Sequence, residues 1–471
     1  MEGNTNEFRL SGKWFFTRDM EIDGELYINL SKQTINLFTY SEESLGLYKE
    51  FEVITGQTIH GASMTLYKCQ VVQETIQIGA KKRYRSTIIA EYAFNGVAFE
   101  AKEDVMFHEV GFRLTNLDEW AFFKGFDLYS VENACFSLIY KTPEEIKYKI
   151  DDDTSIVIHC GLQSPLFVLV EKSVSVTQKV YISIKHKTPK TFEKSLEVIR
   201  TLMNFISLNI GRAVYMTEIS GYNPKHFQTI SDEGEKIYHE IPIYTIELTN
   251  ENYQPIDPWR VLLNLQELKE NFGMYMNNWF EKSKLLSPII DLYLNTLNYK
   301  QMSIERHFLN LVQALESYHR RTRRNYTIDP QSHQKKVQEI LESAPEEHKK
   351  WLSERLNFSH EPTLQNRLLD LVPDDEDMFI FFKGSTDVED FIKKVKNTRN
   401  YHTHYDSKLE RKALKGEELE FSCVILRSMV EYYLLKEIGV SKEIIHEKLM
   451  EKSNGFYTKQ SILEHYRKKN N

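Results

Sequence analysis

Between Lys396 and Asp406 the chain reads Lys-Asn-Thr-Arg-Asn-Tyr-His-Thr-His-Tyr-Asp. Two imidazoles (His402, His404), a guanidinium (Arg399) and an amide (Asn400) fall within six residues. These are groups that phosphodiester cleavage of RNA can use. A guanidinium neutralises charge on the scissile phosphate and on its pentavalent transition state. An imidazole exchanges protons with the reacting oxygens. The substrate brings its own nucleophile, the 2′-hydroxyl, so this chemistry needs no metal and no cofactor. Taken alone, such a cluster is also what a solvated polar helix end looks like.

Basic residues crowd the same region. Arg320, Arg321, Arg323 and Arg324 form one run, and Lys393, Lys394, Lys396, Arg411, Lys412 and Lys415 flank the cluster. They suit salt-dependent phosphate contacts in a protein whose net charge is -8, where any nucleic-acid contact must be local. Tyr318, Tyr401 and Tyr405 can stack on unpaired bases. Singly, each has a plainer reading: charges face solvent and tyrosines pack.

Other chemistries are poorly provided for. There is no Gly-Lys-Ser/Thr phosphate loop, no Gly-x-Ser-x-Gly elbow and no His-Glu-x-x-His helix. Cys69, Cys135, Cys160 and Cys423 are far apart and form no Cys-x-x-Cys pair, which argues against a disulfide framework or zinc knuckle. Cys423 lies in an apolar helical stretch and reads as core. His402-x-His404 has only Asp406 as a nearby carboxylate, so no metal site is expected there. Asp374-Asp375-Glu376-Asp377 reads as a solvated loop.

Two kinds of element must position the cluster. The first half is β-rich. Phe8–Phe16, Glu25–Leu30, Thr34–Tyr40, Glu50–Thr55, Ala62–Gln70, Arg85–Phe94, Gly111–Leu114 and Val180–His186 are short β-branched and aromatic segments, some separated by turns such as Asp23-Gly24. They predict a sandwich or barrel-like module. Leu196, Ile199, Leu202, Phe205 and Ile206 predict a helix after Pro189, with strands near Val214–Glu218 and Ile243–Leu248 closing the module. From about Pro258 the pattern turns helical: Val261–Leu268, Trp279–Leu297, Ser303–Arg320, Lys336–Leu341, Thr363–Leu371, Val388–Arg399 and Gly416–Ile438, with Gly439 as a stop. The cluster thus sits where one helix ends and before another. The expected division is residues 1–255, a helical connection at 256–300, and 301–471. The polar start Met1–Glu7 and the absence of any long apolar run predict a soluble, intracellular protein with no signal peptide and no membrane span, and they do not separate a bacterial cytoplasm from a eukaryotic one.

Arg399-Asn400-x-x-x-His404 resembles the Arg-polar-x-x-x-His motif of HEPN ribonucleases. Phe308–Arg321 resembles the first core helix of the HEPN domain in the ApeA family, proteins of bacterial anti-phage, abortive-infection defence. Glu361–Leu368 and the β-rich first half are also similar to that family. The resemblance implies an α+β chain, a β-rich N-terminal module followed by an all-α HEPN helical bundle. It implies an endoribonuclease in which Arg399 stabilises phosphate, His404 moves protons and Asn400 orients them. Glu316 and Arg320 resemble the polar pair of the first helix and share a face four residues apart; a plain surface ion pair is the alternative. Arg320, Arg321, Arg324, Lys396, Tyr401 and His402 are the candidate RNA contacts, although His402 occupies a variable motif position. Expected partners are RNA such as tRNA, a second copy of the chain, and an unknown phage-derived trigger. Asp406 stands where one HEPN subgroup has Tyr two residues after the motif histidine, which separates this chain from toxins paired with nucleotidyltransferases. A non-catalytic HEPN scaffold and a ligand- or carbohydrate-binding β-module are the rival readings.

Overall fold

The computed structural model describes residues 7–78, 82–131, 135–168, 173–229, 236–249, 255–298, 302–372 and 388–449. The acidic run Asp374–Asp377 lies outside them. Two compact units are present. The first comprises the described residues up to Ile206 together with Val214–Pro258 and Asn264–Gly273. The second comprises Ser207–Ala213, Trp259–Leu263 and the described residues from Met274 onward.

The first unit opens with six antiparallel strands: β1 (Glu7–Thr17), β2 (Met20–Asn29), β3 (Thr34–Ser41), β4 (Glu50–Thr58), β5 (Ser63–Ile78) and β6 (Lys82–Asn95). Their order is β6-β3-β2-β1-β4-β5, and β5 pairs back onto β6, so the six close into a barrel. Alternation makes this possible. In β3, Ile35, Leu37 and Thr39 are buried while their neighbours are not. The interior is Trp14 with Leu26, Ile28, Leu37, Ile54, Leu66, Val71 and Ile88. A Cβ added at Gly56 would stand 2.4 Å from the Trp14 ring, so only glycine lets β4 approach so closely.

The same sheet continues beyond β6 through later strands. After β7 (Met106–Leu114) and the short helix α1 (Leu117–Ala121) come β8 (Phe126–Val131) and β9 (Cys135–Tyr140), which form a separate ribbon. β10 (Ile146–Lys149), β11 (Thr154–Val168), β12 (Ser173–Thr191), helix α2 (Phe192–Ile210), β13 (Met216–Thr229) and β14 (Lys236–Thr245) follow. Beyond β6 the strand order runs β14-β13-β7-β12-β11-β10. Phe192 of α2 packs its ring on Tyr92, Phe94 and Phe107 at 5.1–5.6 Å between centroids. The expected barrel-like module is therefore a barrel with a sheet extension. β8 to β11 were not anticipated, and β7 and β13 are longer than expected, because long-range pairing extends strands past their apolar cores.

The expected long helix at Val261–Leu268 is instead a single 3-10 turn (Pro258–Arg260) and the one-turn α3 (Leu265–Leu268), capped by Asn264. Then α4 (Phe272–Asn298) continues through Pro288. The second unit goes on with α5 (Ile304–Thr322), α6 (Pro330–Ser343), α7 (Glu346–Leu356), α8 (Leu364–Asp370), α9 (Val388–His404), α10 (Ser407–Glu410), α11 (Glu417–Ile438) and α12 (Lys442–Glu447). α11 is buried on nearly every face and packs against α5, whose Phe308, Leu311, Val312 and Leu315 are buried; the rings of Tyr318 and Tyr433 meet there at 4.6 Å between centroids. Gly439, at φ 95°, ends α11 in the left-handed conformation.

Candidate active site

Helix α9 does not stop at Arg399; it runs through His404. Its inward stripe is Phe391, Val395 and Thr398, with spacings of four and three. His402 continues that stripe. Its ring is half-buried and its Nε2 is buried with no hydrogen-bond partner among the described residues. Tyr405 at φ 51° ends the helix, and its N–H donates to the Tyr401 carbonyl at 2.6 Å. The Asp406 carboxylate accepts from the Lys408 N–H at 2.9 Å and caps α10. The buried Thr398 hydroxyl donates to the Lys394 carbonyl (2.8 Å) and accepts from the Leu414 N–H (2.9 Å), tying the chain after the motif back to α9.

Arg399 is half-buried beside Thr398. Its Nη1 donates to Asn400 Oδ1 at 3.2 Å, and its Nη2 lies 3.6 Å from Glu316 Oε2. Glu316 projects from α5, and Arg320, one turn on, meets its other oxygen at 3.4 Å. Arg320 in turn donates to Glu361 Oε2 at 2.7 Å. Arg367 of α8 donates to that same oxygen at 2.9 Å and is fully buried. Its Nη1 also reaches Asn325 Oδ1 and, at 3.1 Å, His319 Nδ1. Since His319 Nδ1 accepts, its proton sits on Nε2, which faces Asp370 Oδ2 at 3.3 Å. Burial, and next the Arg367 charge, hold the His319 imidazole below its ordinary range and so neutral. Charges thus alternate from Arg399 through Glu316, Arg320 and Glu361 to Arg367.

His404 stands apart from this chain of ion pairs. It is exposed, and its ring makes no hydrogen bond or ion pair among the described residues. Five residues along a continuous helix correspond to about 7.5 Å of rise and about 140° of rotation, so Arg399 and His404 point to different sides. The structure therefore brings Arg399, Asn400, Glu316 and Arg320 together and leaves His404 outside their contacts. Tyr401 packs against the rings of His402 (5.0 Å) and Tyr405 (5.8 Å). Lys396 donates to Gln365 Oε1 at 3.1 Å, Arg321 to the Leu285 carbonyl at 2.9 Å, and Arg324 lies 4.1 Å over the Tyr326 ring.

Sequence reasoning missed Glu361, Arg367 and His319 as parts of one network. A signal for Arg367 exists: it occupies the position between Leu364 and Leu371 on the apolar stripe of α8, where a charge must be paired. The buried Cys423 thiol is pushed up to about 12 by its burial, with Glu420 and Glu305 adding to the effect, and is no nucleophile. No group of three or more His, Cys, Asp or Glu suited to a metal occurs among the described residues. None of their helices is long and apolar enough to cross a membrane.

The first unit holds a cavity of about 800 Å³, lined by Asn36, Glu52, Lys68, Gln70, Glu91 and Lys102 among others. Lys68 adopts φ 55° there, with its Nζ 3.7 Å from both Glu91 and Glu193.

Two comparisons bear on these observations. Residues 9–279 match the family described as ApeA N-terminal domain 1, and residues 309–444 match that described as Apea-like HEPN. No curated protein and no solved structure matches.

Proposed function

Because this chain belongs to the ApeA family and carries an Apea-like HEPN domain at its C-terminal end, we propose that it is an anti-phage, abortive-infection effector that cuts RNA without a metal. The observation that carries the reading is the contrast within α9: Arg399 is anchored by Glu316 and Asn400, while His404 is exposed and unengaged. The Arg399–Glu316 separation of 3.6 Å is an ion pair too long for a good hydrogen bond, so a phosphate oxygen can take its place. In the proposed reaction the substrate 2′-oxygen attacks phosphorus and the bond to the 5′-oxygen breaks. An imidazole carries the proton between those oxygens. The products are a 2′,3′-cyclic phosphate and a 5′-hydroxyl.

Host RNA such as tRNA is the substrate in this reading, and its cleavage halts growth before phage can spread. Arg399 and His404 diverge on one helix, which favours a homodimer in which each copy's His404 serves its mate's Arg399. The β-rich unit senses a phage-derived trigger or restrains the nuclease, and its cavity beside the strained Lys68 is the natural place for a small ligand.

One observation favours the rival reading of a non-catalytic scaffold: Arg320, Arg321 and Arg324 are engaged within the chain. Comparing the wild type with His404→Ala in phage-infected cells, by sequencing RNA ends and counting plaques, separates the two. Loss of both new RNA ends and protection is the expected result. Protection that survives without His404 rejects catalysis in favour of the scaffold, and 5′-phosphate ends reject the chemistry.

A further inference from the structure

Arg320 is a long, partly exposed side chain, with 44% of it open to solvent. A side chain of that kind does not by itself fix the geometry of a carboxylate on its own helix, since an exposed pair at this spacing is weak and is screened by water and salt. Yet its contacts to Glu316, at 3.4 Å, are longer than its contact to Glu361, at 2.7 Å. The firmer end of Arg320 is therefore the one away from Arg399. Glu361 itself is held at 2.9 Å by the fully buried guanidinium of Arg367. That guanidinium is clasped in turn by Asn325 and His319, and α8 is seated by Thr363, whose hydroxyl accepts from the Asn366 N–H.

We infer that Glu361 is a positioning residue for the reaction at Arg399, acting through Arg320 and Glu316; this rests on the nuclease reading above. One oxygen, Oε2, takes bonds from both guanidiniums and so couples the buried anchor to the surface pair. With Arg320 drawn toward Glu361, Glu316 is shared between two arginines and stays 3.6 Å from Arg399. Without Glu361, Arg320 loses its outer anchor. Glu316 then re-pairs with whichever guanidinium is nearer, and Arg399 loses its set position. Glu361 lies three ion pairs from Arg399, so its effect falls on the placement of Arg399.

The test uses the full-length protein, wild type and Glu361→Gln, with Glu316→Gln and the double variant for comparison. Thermal melting confirms that each is folded. Crystal structures of wild type and Glu361→Gln report the Arg399 guanidinium directly, and single-turnover cleavage of a 5′-labelled tRNA reports the chemistry. The expected result is a displaced or disordered Arg399 guanidinium and a rate lower by about tenfold, with the half-saturating RNA concentration within about twofold of wild type. The double variant should be no slower than the worse single one, because both act through one chain of contacts. An Arg399 guanidinium that stays in place in Glu361→Gln overturns the inference, whatever the rate. A guanidinium that moves while the wild type produces no new RNA ends in phage-infected cells upholds the positioning role and rejects the nuclease reading instead.

Discussion

Trp14 in the barrel and Arg367 in the helical unit are both fully buried, and their surroundings are opposite in kind. Trp14 sits among aliphatic side chains and, at Gly56, against bare backbone. Apart from one hydrogen bond, from its indole N–H to the Gly24 carbonyl at 3.3 Å, its contribution is area and volume, which is non-directional and scales with the apolar surface removed from water. Arg367 sits among hydrogen-bond acceptors, each a directional contact whose loss leaves a charge or dipole stranded. One buried side chain holds a container shut, and the other holds geometry. The candidate chemistry lies at the end of the second kind of core.

Four measurements test that contrast. The largest stability effect belongs to the apolar side: Trp14→Ala should cost about 3–5 kcal/mol by chemical denaturation, while leaving the Arg399–Glu316 pair intact. Arg367→Leu removes the charge and keeps much of the volume. It should cost about 2 kcal/mol, because Glu361 keeps Arg320 as a partner. An equal or larger loss than that of Trp14→Ala would erase the distinction. The third measurement is pH. His319 is held below its ordinary value of 6.5 in the folded chain by burial and by Arg367, so the unfolded chain takes up a proton more readily. Stability should therefore fall as pH drops below about 6.5, and His319→Gln should flatten that slope. The smallest effect is expected at the exposed Lys394–Asp390 pair on α9, at 2.8 Å, where Asp390→Asn should cost about 0.3–0.5 kcal/mol.

The sequence made some of this legible and hid the rest for physical reasons. Strands such as β3 were readable because Ile35 and Leu37 alternate with less buried neighbours. Closure of the barrel was not, because it depends on the non-local pairings of β1 with β4 and of β3 with β6, such as Gly12 opposite Thr58 and Asn36 opposite Ile89, which no local pattern sets. Helices α5 and α11 carry dense apolar content and were read closely. α7 was missed because none of its residues is buried, leaving no apolar stripe to read. The end of α9 was placed too early because its last turn, Tyr401 to His404, is polar and aromatic. Arg399, Asn400 and His404 were visible as a motif, and Glu316 with Arg320 as a helical pair. Glu361 stands 41 residues from Arg320, and no local pattern links them.

Closing the barrel has a further consequence. A sheet that joins onto itself along β5 and β6 has no free margin there, so the large sheet terminates in the other direction, at β10. That last strand is only four residues long, and its two solvent-facing positions are Lys147 and Lys149. A short margin carrying like charges repels a second copy that would add itself as a further strand. Where copies of this protein are crowded together, that margin would keep their sheets from growing into one another.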